Sequence, residues 1–422
     1  MKQSNLFTKT KKNPPQDADS KNAKLLIQGG FIDQLASGIY SFLPLGLRSL
    51  RKVKDIIREE MNDIGGQEIL MPAIHPKEIW EQTDRWNEPG EEVMFQFEGR
   101  SGKEYGLGWS HEEVITRIAQ KHSFSYRDLP FSVYQIQDKF RNEPRAKSGL
   151  LRGLEFSMKD MYSFHLSEDG LEDYYETVAD SYGKIFKRCG LDSIRTRADG
   201  GSFSKFSDEF QVITENGEDT IYTCNECSFS QNSELGEFED GSECPECSGA
   251  IEGHRAIEVG NIFKLKTKYS DAFDFTVTGE DGKENDVYMG CYGIGPSRVL
   301  GSIVEVHHDD NGIVWPSSVA PFHVHLVSLS SNDSKTQDKI NKKSEQIYNQ
   351  LKESDIEVLW DDRANTSAGE KFAVSDLLGM PIRLVISKNT LEEEAVELSE
   401  RSSDEENMIP YNKLEARIQE LI

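Results

Sequence analysis

Four cysteines come as two matched pairs, Cys224-Asn225-Glu226-Cys227 and Cys244-Pro245-Glu246-Cys247. Two C-x-x-C knuckles at this separation supply four thiolates, the ligand set of a closed tetrahedral zinc ribbon; the competing reading is two redox pairs or four free thiols. A closed four-sulfur site leaves no position open to substrate, so the expected role of Zn²⁺ is structural. Cys189 and Cys291 stand singly in apolar surroundings and read as core. His323 and His325 share one strand face, and two histidines without further ligands do not read as a metal site. A second concentration of chemistry is KFRNEPRAKSGLLRGLEFSMKD at 139–160. There Lys139, Arg141, Arg145, Lys147 and Arg152 surround the acid Glu143, and such a cluster is either a solvated face or a local groove for anions. The third is GCYGIGPSRVLGSIVE at 290–305. Gly293 and Gly295 start a dinucleotide-type spacing, but Arg298 takes the third glycine position and no acidic ribose ligand is evident, so that reading is set aside.

These residues need elements to hold them. Segment 46–62 places Leu47, Leu50, Val53, Ile56, Ile57 and Met61 at helical spacing, and after Gly65-Gly66 the run QEILMPAI reads as a strand containing Pro72. Segment 168–189 reads as a second long helix, with Ser167 as N-cap and Gly190 as stop. Strand-type runs lie at 131–137, 155–164 and 286–292. Long helices beside antiparallel-type strands predict an α+β layer architecture. Beyond Trp315-Pro316 the pattern becomes strand, helix 335–352, strand, helix 369–378, strand, a further strand and a final helix, the alternation of a small α/β domain. The expected domains are therefore 1–318, with a zinc-ribbon insertion at 218–253, and 319–422. Glu392-Glu393-Glu394 and Asp404-Glu405-Glu406 read as solvated turns.

A chain of 422 residues with 36% hydrophobic and 29% charged residues reads as a soluble globular protein. No apolar run approaches the ~18 residues of a membrane span. The N-terminal residues have lysines but no apolar stretch of the kind a signal peptide carries, so a cytoplasmic location is expected. The net charge of −26 bears on solubility and non-specific binding and leaves a local basic groove open.

Taken together, the three constellations resemble the signature motifs of class II aminoacyl-tRNA synthetases. LLIQGGFIDQLASGIYSFLPLGLRSLRKV, GLGWSHEEVIT, YQIQDKFRNE, AIEVGNIFKLKTKYS and MGCYGIGPSR narrow the resemblance to the prolyl-tRNA synthetases, from about Leu6 to the last helix. The resemblance implies an antiparallel-sheet catalytic domain followed by an anticodon-binding domain, with ATP, L-proline, Mg²⁺ and tRNA(Pro) as ligands. It implies that Arg141 holds the α-phosphate and the substrate carboxylate and that Glu143 accepts from the adenine amino group. Phe156 and Arg298 then sandwich the adenine, and Arg152 holds the bent triphosphate. Ser110 and Glu112 match the family's Thr-x-Glu and imply a receptor for the proline ammonium. Asn261 lies where relatives often carry histidine near the pocket. WDDRANTSAGEKFAVSDLLGMPIRLVI implies anticodon contacts by Asp362, Arg363, Lys371 and Phe372. Trp109 before Ser110, Asn142 after Arg141 and a loop PRAKSG without an aromatic depart from the family pattern. The large editing insertion of many relatives is missing between the second and third motifs, so no hydrolysis of alanyl-tRNA within this chain is expected. Helices of the first motif pair across a two-fold axis in this class, which implies a homodimer. Other readings are a threonyl-type synthetase, whose active-site zinc uses mixed Cys/His ligands, a catalytically silent paralogue, and a zinc-ribbon RNA-binding module that accounts for only the cysteine segment.

Overall fold

A computed structural model of the chain describes residues 1–15, 18–403 and 405–422. It has two compact units, one formed by Leu35–Ile39 with Val53–Ser302, the other by Met1–Gln34, Tyr40–Lys52 and Ile303–Ile422.

The first unit is built on a nine-stranded sheet, ordered Phe206–Ile213, Ser193–Asp199, Ser230–Asn232, Asp219–Cys224, Ile251–Lys266, Tyr288–Ile294, Glu155–His165, Phe131–Phe140 and Gln67–Glu68. The central pairs are antiparallel, and Phe206–Ile213 also pairs with Ile251–Lys266, so that end of the sheet folds back on itself. Glu155–His165 is buried along most of its length, as a central strand covered on both faces must be. One cover is the helix Glu168–Arg188, which buries Leu171, Tyr175, Val178, Tyr182, Ile185 and Phe186 at helical spacing. It starts where Ser167 Oγ accepts from Gly170 N (3.2 Å) and ends at Gly190, whose φ of +81° suits a residue without Cβ. A separate apolar cluster joins Met71, Ile115, Tyr162, Phe164, Leu265, Tyr269 and Met289 and seats the helix Glu112–His122.

The run QEILMPAI is not one strand. Only Gln67–Glu68 and Ile74–Pro76 are extended partners, because Pro72 has no N–H to give a ladder. Side-chain amides take over: Met71 N donates to Gln135 Oε1 (3.0 Å), and Gln137 Nε2 donates to Met71 O (3.0 Å).

The second unit carries a five-stranded sheet, ordered Val358–Asp361, Val324–Ser328, Ile382–Ile386, Ala395–Glu400 and Glu406–Pro410. The first three are parallel and the last two antiparallel, with Ser334–Glu353 and Ala368–Leu378 as crossover helices. Val324, Leu326, Ile347, Leu351, Trp360, Leu384 and Val396 form its core. Where the sequence pattern gives one further strand, there are a short helix, Lys388–Glu392, and two strands. Glu406 opens the last strand, and Asp404 lies outside the described residues. Compactness does not follow the expected division at 318/319, because the chain start belongs with the five-stranded sheet. The Met1 ammonium donates to Val358 O (2.6 Å), Trp360 N donates to Met1 O (2.8 Å), and Asn22 Nδ2 donates to Glu305 Oε1 (2.7 Å).

Gln135 is fully buried, and its amide also donates to Asp160 Oδ2 (2.9 Å). Gln135→Leu leaves the Met71 N–H and a carboxylate oxygen each short of a partner. The expected loss is about 2–5 kcal/mol, read as a fall in the urea midpoint of this unit.

Candidate active site

A cavity of about 320 Å³ opens in the nine-stranded unit. Strand pleating sets its floor: Phe156, Met158, Asp160 and Tyr162 alternate along Glu155–His165 and all line it. Ser110 and Glu112 enter from the start of the helix Glu112–His122, and Arg141 and Glu143 from just past the strand Phe131–Phe140. Asn261 comes from Ile251–Lys266, and Arg298 from the first turn of Pro296–Val306. All the residues singled out for ATP and proline (Ser110, Glu112, Arg141, Glu143, Arg152, Phe156, Asn261 and Arg298) line this one cavity.

Charged groups of both signs line it. Arg141 Cζ lies 5.2 Å from the Phe156 ring centre, and Arg141 Nε is buried with no hydrogen-bond partner. Burial, and then the nearby Arg298, push its pKa down. Arg298 donates through Nε to Leu151 O (2.8 Å) and through Nη1 to Glu258 Oε2 (2.8 Å). Arg152 Nε donates to Glu143 Oε2 (2.9 Å). Two guanidiniums facing one space, one with an unused N–H, make a receptor for anionic oxygens.

Two buried acids, Glu112 and Asp160, also line it. Glu112 is 2% exposed, and its Oε2 accepts from Ser110 Oγ and from Arg85 Nη1 (3.2 Å). Its Oε1 lies 3.3 Å from Cys291 Sγ, whose thiol is pushed far up by burial and by Glu112. Beside it Asp160 accepts from Lys139 Nζ (2.7 Å), Gln135 Nε2 and Tyr162 OH (both 2.9 Å), which holds its pKa down despite burial. The loop before Glu112 is pinned by two histidines. His75 Nε2 and His111 Nε2 lie 2.9 and 3.0 Å from Pro72 O, which can only accept, so both rings carry their proton there. Burial holds them neutral, at about 4 and about 3.

Sequence reading passed over several residues of this site. Arg85 stands behind Glu112, and Glu258 ties down Arg298. Glu209 accepts from Gln211 Nε2 (2.8 Å), Asn232 Nδ2 (3.0 Å) and Asn261 Nδ2 (3.4 Å), while Asn261 Oδ1 is buried without a partner. The available signal was alternation: Glu209 and Gln211 share one strand face, and Glu258 precedes Asn261 on another strand.

The four Sγ atoms of Cys224, Cys227, Cys244 and Cys247 lie within 4.8 Å of one another, with Cys224–Cys247 at 3.5 Å and Cys227–Cys244 at 3.8 Å. Sulfurs about 2.3 Å from a tetrahedral centre sit about 3.8 Å apart, so the donor set fits zinc. Each knuckle adds the same N–H···S bond, Glu226 N to Cys224 Sγ (3.4 Å) and Glu246 N to Cys244 Sγ (3.5 Å). The first of these draws the Cys224 thiol down to about 7.

Of the residues assigned to the anticodon, Lys371 is buried: its Nζ donates to Ser328 O (2.7 Å) and Asp361 O (3.3 Å). Its ammonium is thus engaged inside the fold. Arg363 donates to both oxygens of Asp361 (2.9 and 2.6 Å), Asp362 accepts from Ser4 N (2.9 Å), and Phe372 is half-buried.

Residues 95–307 match the class II core domain of tRNA synthetases (G, H, P, S and T), and residues 323–421 match an anticodon binding domain. "Proline–tRNA ligase 1" of Anaeromyxobacter dehalogenans is 34% identical over 568 aligned residues, covering 99% of this chain and 98% of the relative. The proline–tRNA ligase of Dehalococcoides mccartyi strain BAV1 is 32% identical over 565, with the same coverage. A Giardia lamblia prolyl-tRNA synthetase, solved in complex with prolyl-adenylate, shares the fold with a TM-score of 0.77 at 19% identity. That match covers 93% of this chain and 73% of the other.

Burial and the neighbouring Glu258 push the Glu209 carboxyl up to about 8. The unfolded chain releases that proton near the ordinary ~4.3, so between there and about 8 the folded state holds more protons and stability falls as pH rises. Glu209→Gln removes this loss: thermal melts at pH 5 and pH 8 are expected to differ less in the variant than in the parent.

Proposed function

The chain belongs to the proline–tRNA ligases, and we propose that the cavity of its nine-stranded unit is where L-proline is activated by ATP before transfer to the 3′ end of tRNA(Pro). The observation that carries this reading is charge placement: guanidiniums and a buried carboxylate line a single cavity. Proline presents a carboxylate and an ammonium, and ATP presents phosphates. The proline carboxylate attacks the α-phosphorus, and diphosphate leaves. Such a step is driven by positioning and by charge stabilisation, with no covalent enzyme intermediate. Arg141 holds the α-phosphate and the proline carboxylate through its planar fork, and its unpartnered Nε supports that role. Phe156 and Arg298 sandwich the adenine, Glu143 accepts from its amino group, and Arg152 holds the triphosphate. Mg²⁺, when bound with ATP, neutralises phosphate oxygens. Glu112 receives the secondary ammonium with help from Ser110, and Asn261 closes the pocket beside Glu209.

In the five-stranded unit, Asp362 and Arg363, just past the strand Val358–Asp361, and Phe372, on the helix Ala368–Leu378, are the candidates to meet unpaired anticodon bases, by edge hydrogen bonds and stacking. Alignment with the Anaeromyxobacter relative spans 568 residues against 422 here, so that relative carries a long stretch without counterpart in this chain. The missing stretch supports the reading that this chain does not hydrolyse alanyl-tRNA. The four cysteines hold a structural Zn²⁺, which when bound crosslinks the two knuckles. Among the described residues no helix is long and apolar enough to cross a membrane. A cytoplasmic homodimer is the assembly we propose.

Arg141→Ala is expected to reduce proline-dependent pyrophosphate exchange by about 10²–10³-fold with an unchanged melting profile. Exchange within about tenfold of the parent would refute the assignment.

Protein purified without chelator is expected to contain about one zinc per chain by elemental analysis. Cys224→Ser should lose the metal and lower the melting temperature, and zinc-free parent protein would exclude the site.

A further inference from the structure

Arg85 is 3% exposed and sits behind the cavity wall that carries Ser110 and Glu112. Its Nη1 reaches Glu112 Oε2 (3.2 Å), Glu113 Oε1 (2.9 Å) and Tyr269 OH (2.8 Å), and its Nη2 lies 3.5 Å from Ser110 Oγ. The rings of Trp109 and Phe203 stand 4.2 and 5.0 Å from its Cζ. Glu113 is fully buried and accepts from Thr83 Oγ1 (2.7 Å) as well as from Arg85. Two carboxylates therefore share one cation. Glu112 spends Oε2 on Ser110 and Arg85, which leaves Oε1 as its oxygen free of a cation.

We propose that Arg85 is a positioning residue for the substrate amine: pinned by Glu113 and flanked by the rings of Trp109 and Phe203, it fixes Oε2 of Glu112 so that Oε1 meets the ammonium. This rests on the reading of Glu112 as the ammonium receptor. A guanidinium suits the task because its planar fork bonds several acceptors in fixed directions, which a lysine ammonium cannot do. Its single charge also does not cancel both acids, so an entering cation finds acceptor strength to spare in a site where burial magnifies each charge.

The test separates amine recognition from general pocket shape. Arg85→Lys, Glu113→Gln and Glu112→Gln are compared for the KM of L-proline, the KM of ATP, and inhibition by (S)-tetrahydrofuran-2-carboxylate, in which a ring oxygen replaces the ammonium nitrogen. Arg85→Lys keeps the charge and loses the fork. It is expected to raise the proline KM by at least about tenfold, leaving the ATP KM and the inhibition constant within about twofold. Glu113→Gln removes the second anchor and should shift proline against the analogue in the same direction, which keeps the test decisive if Arg85→Lys does not fold. A proline KM unchanged in Glu113→Gln, or proline and analogue weakened together in Arg85→Lys, overturns the inference. If Glu112→Gln itself fails to discriminate between the two compounds, the reading of Glu112 falls, and this inference with it.

Discussion

Holding like charges close together around one small cavity is the constraint on which this molecule turns. Arg141 and Arg298 repel each other, and each buried charge costs several kcal/mol when uncompensated. The fold tolerates the pair because Glu258 takes Arg298 and Phe156 lies against Arg141, with Glu258 and Phe156 both held on strands of the sheet. The remaining deficit, a buried guanidinium N–H without an acceptor, is what anionic substrate oxygens relieve.

The buried acids obey the same rule with the signs reversed. Asp160 is neutralised within the protein by Lys139, so it serves as scaffold. Glu112 shares its cation with Glu113 and keeps one oxygen outside that ion pair. The cavity thus offers both guanidiniums and a carboxylate, which suits an amino acid held by both its charged groups. His75 and His111 add rigidity without charge: two neutral rings on one carbonyl oxygen pin the chain just before Glu112.

The cysteine cluster bears on the cavity through the sheet. Strand Asp219–Cys224 pairs with Ile251–Lys266 in a register that sets Cys224 against Ile251 and Asp219 against Ala256. The knuckles close one end of that ladder, while its other end leads to Glu258 and Asn261 in the cavity wall. The five-stranded unit needs no metal of this kind: its apolar core and crossover helices close it.

The sequence by itself determined the long helices, the C-terminal strand–helix alternation and the paired cysteine knuckles, because periodicity and short spacing are local properties. It also carried the segment order behind the family resemblance, from which the candidate ATP and proline residues were named, and all of these line one cavity. Tertiary structure decided the rest. Pro72 broke a strand that apolar patterning had joined, since a missing N–H counts only where a neighbour needs it. Lys371 was drawn into the core because carbonyls from separate strands, Ser328 and Asp361, converge on its ammonium. Arg85 was silent in the sequence: nothing in a lone arginine says that two carboxylates more than twenty-five residues away will close around it. Charge compensation between distant segments depends on distances that only folding creates.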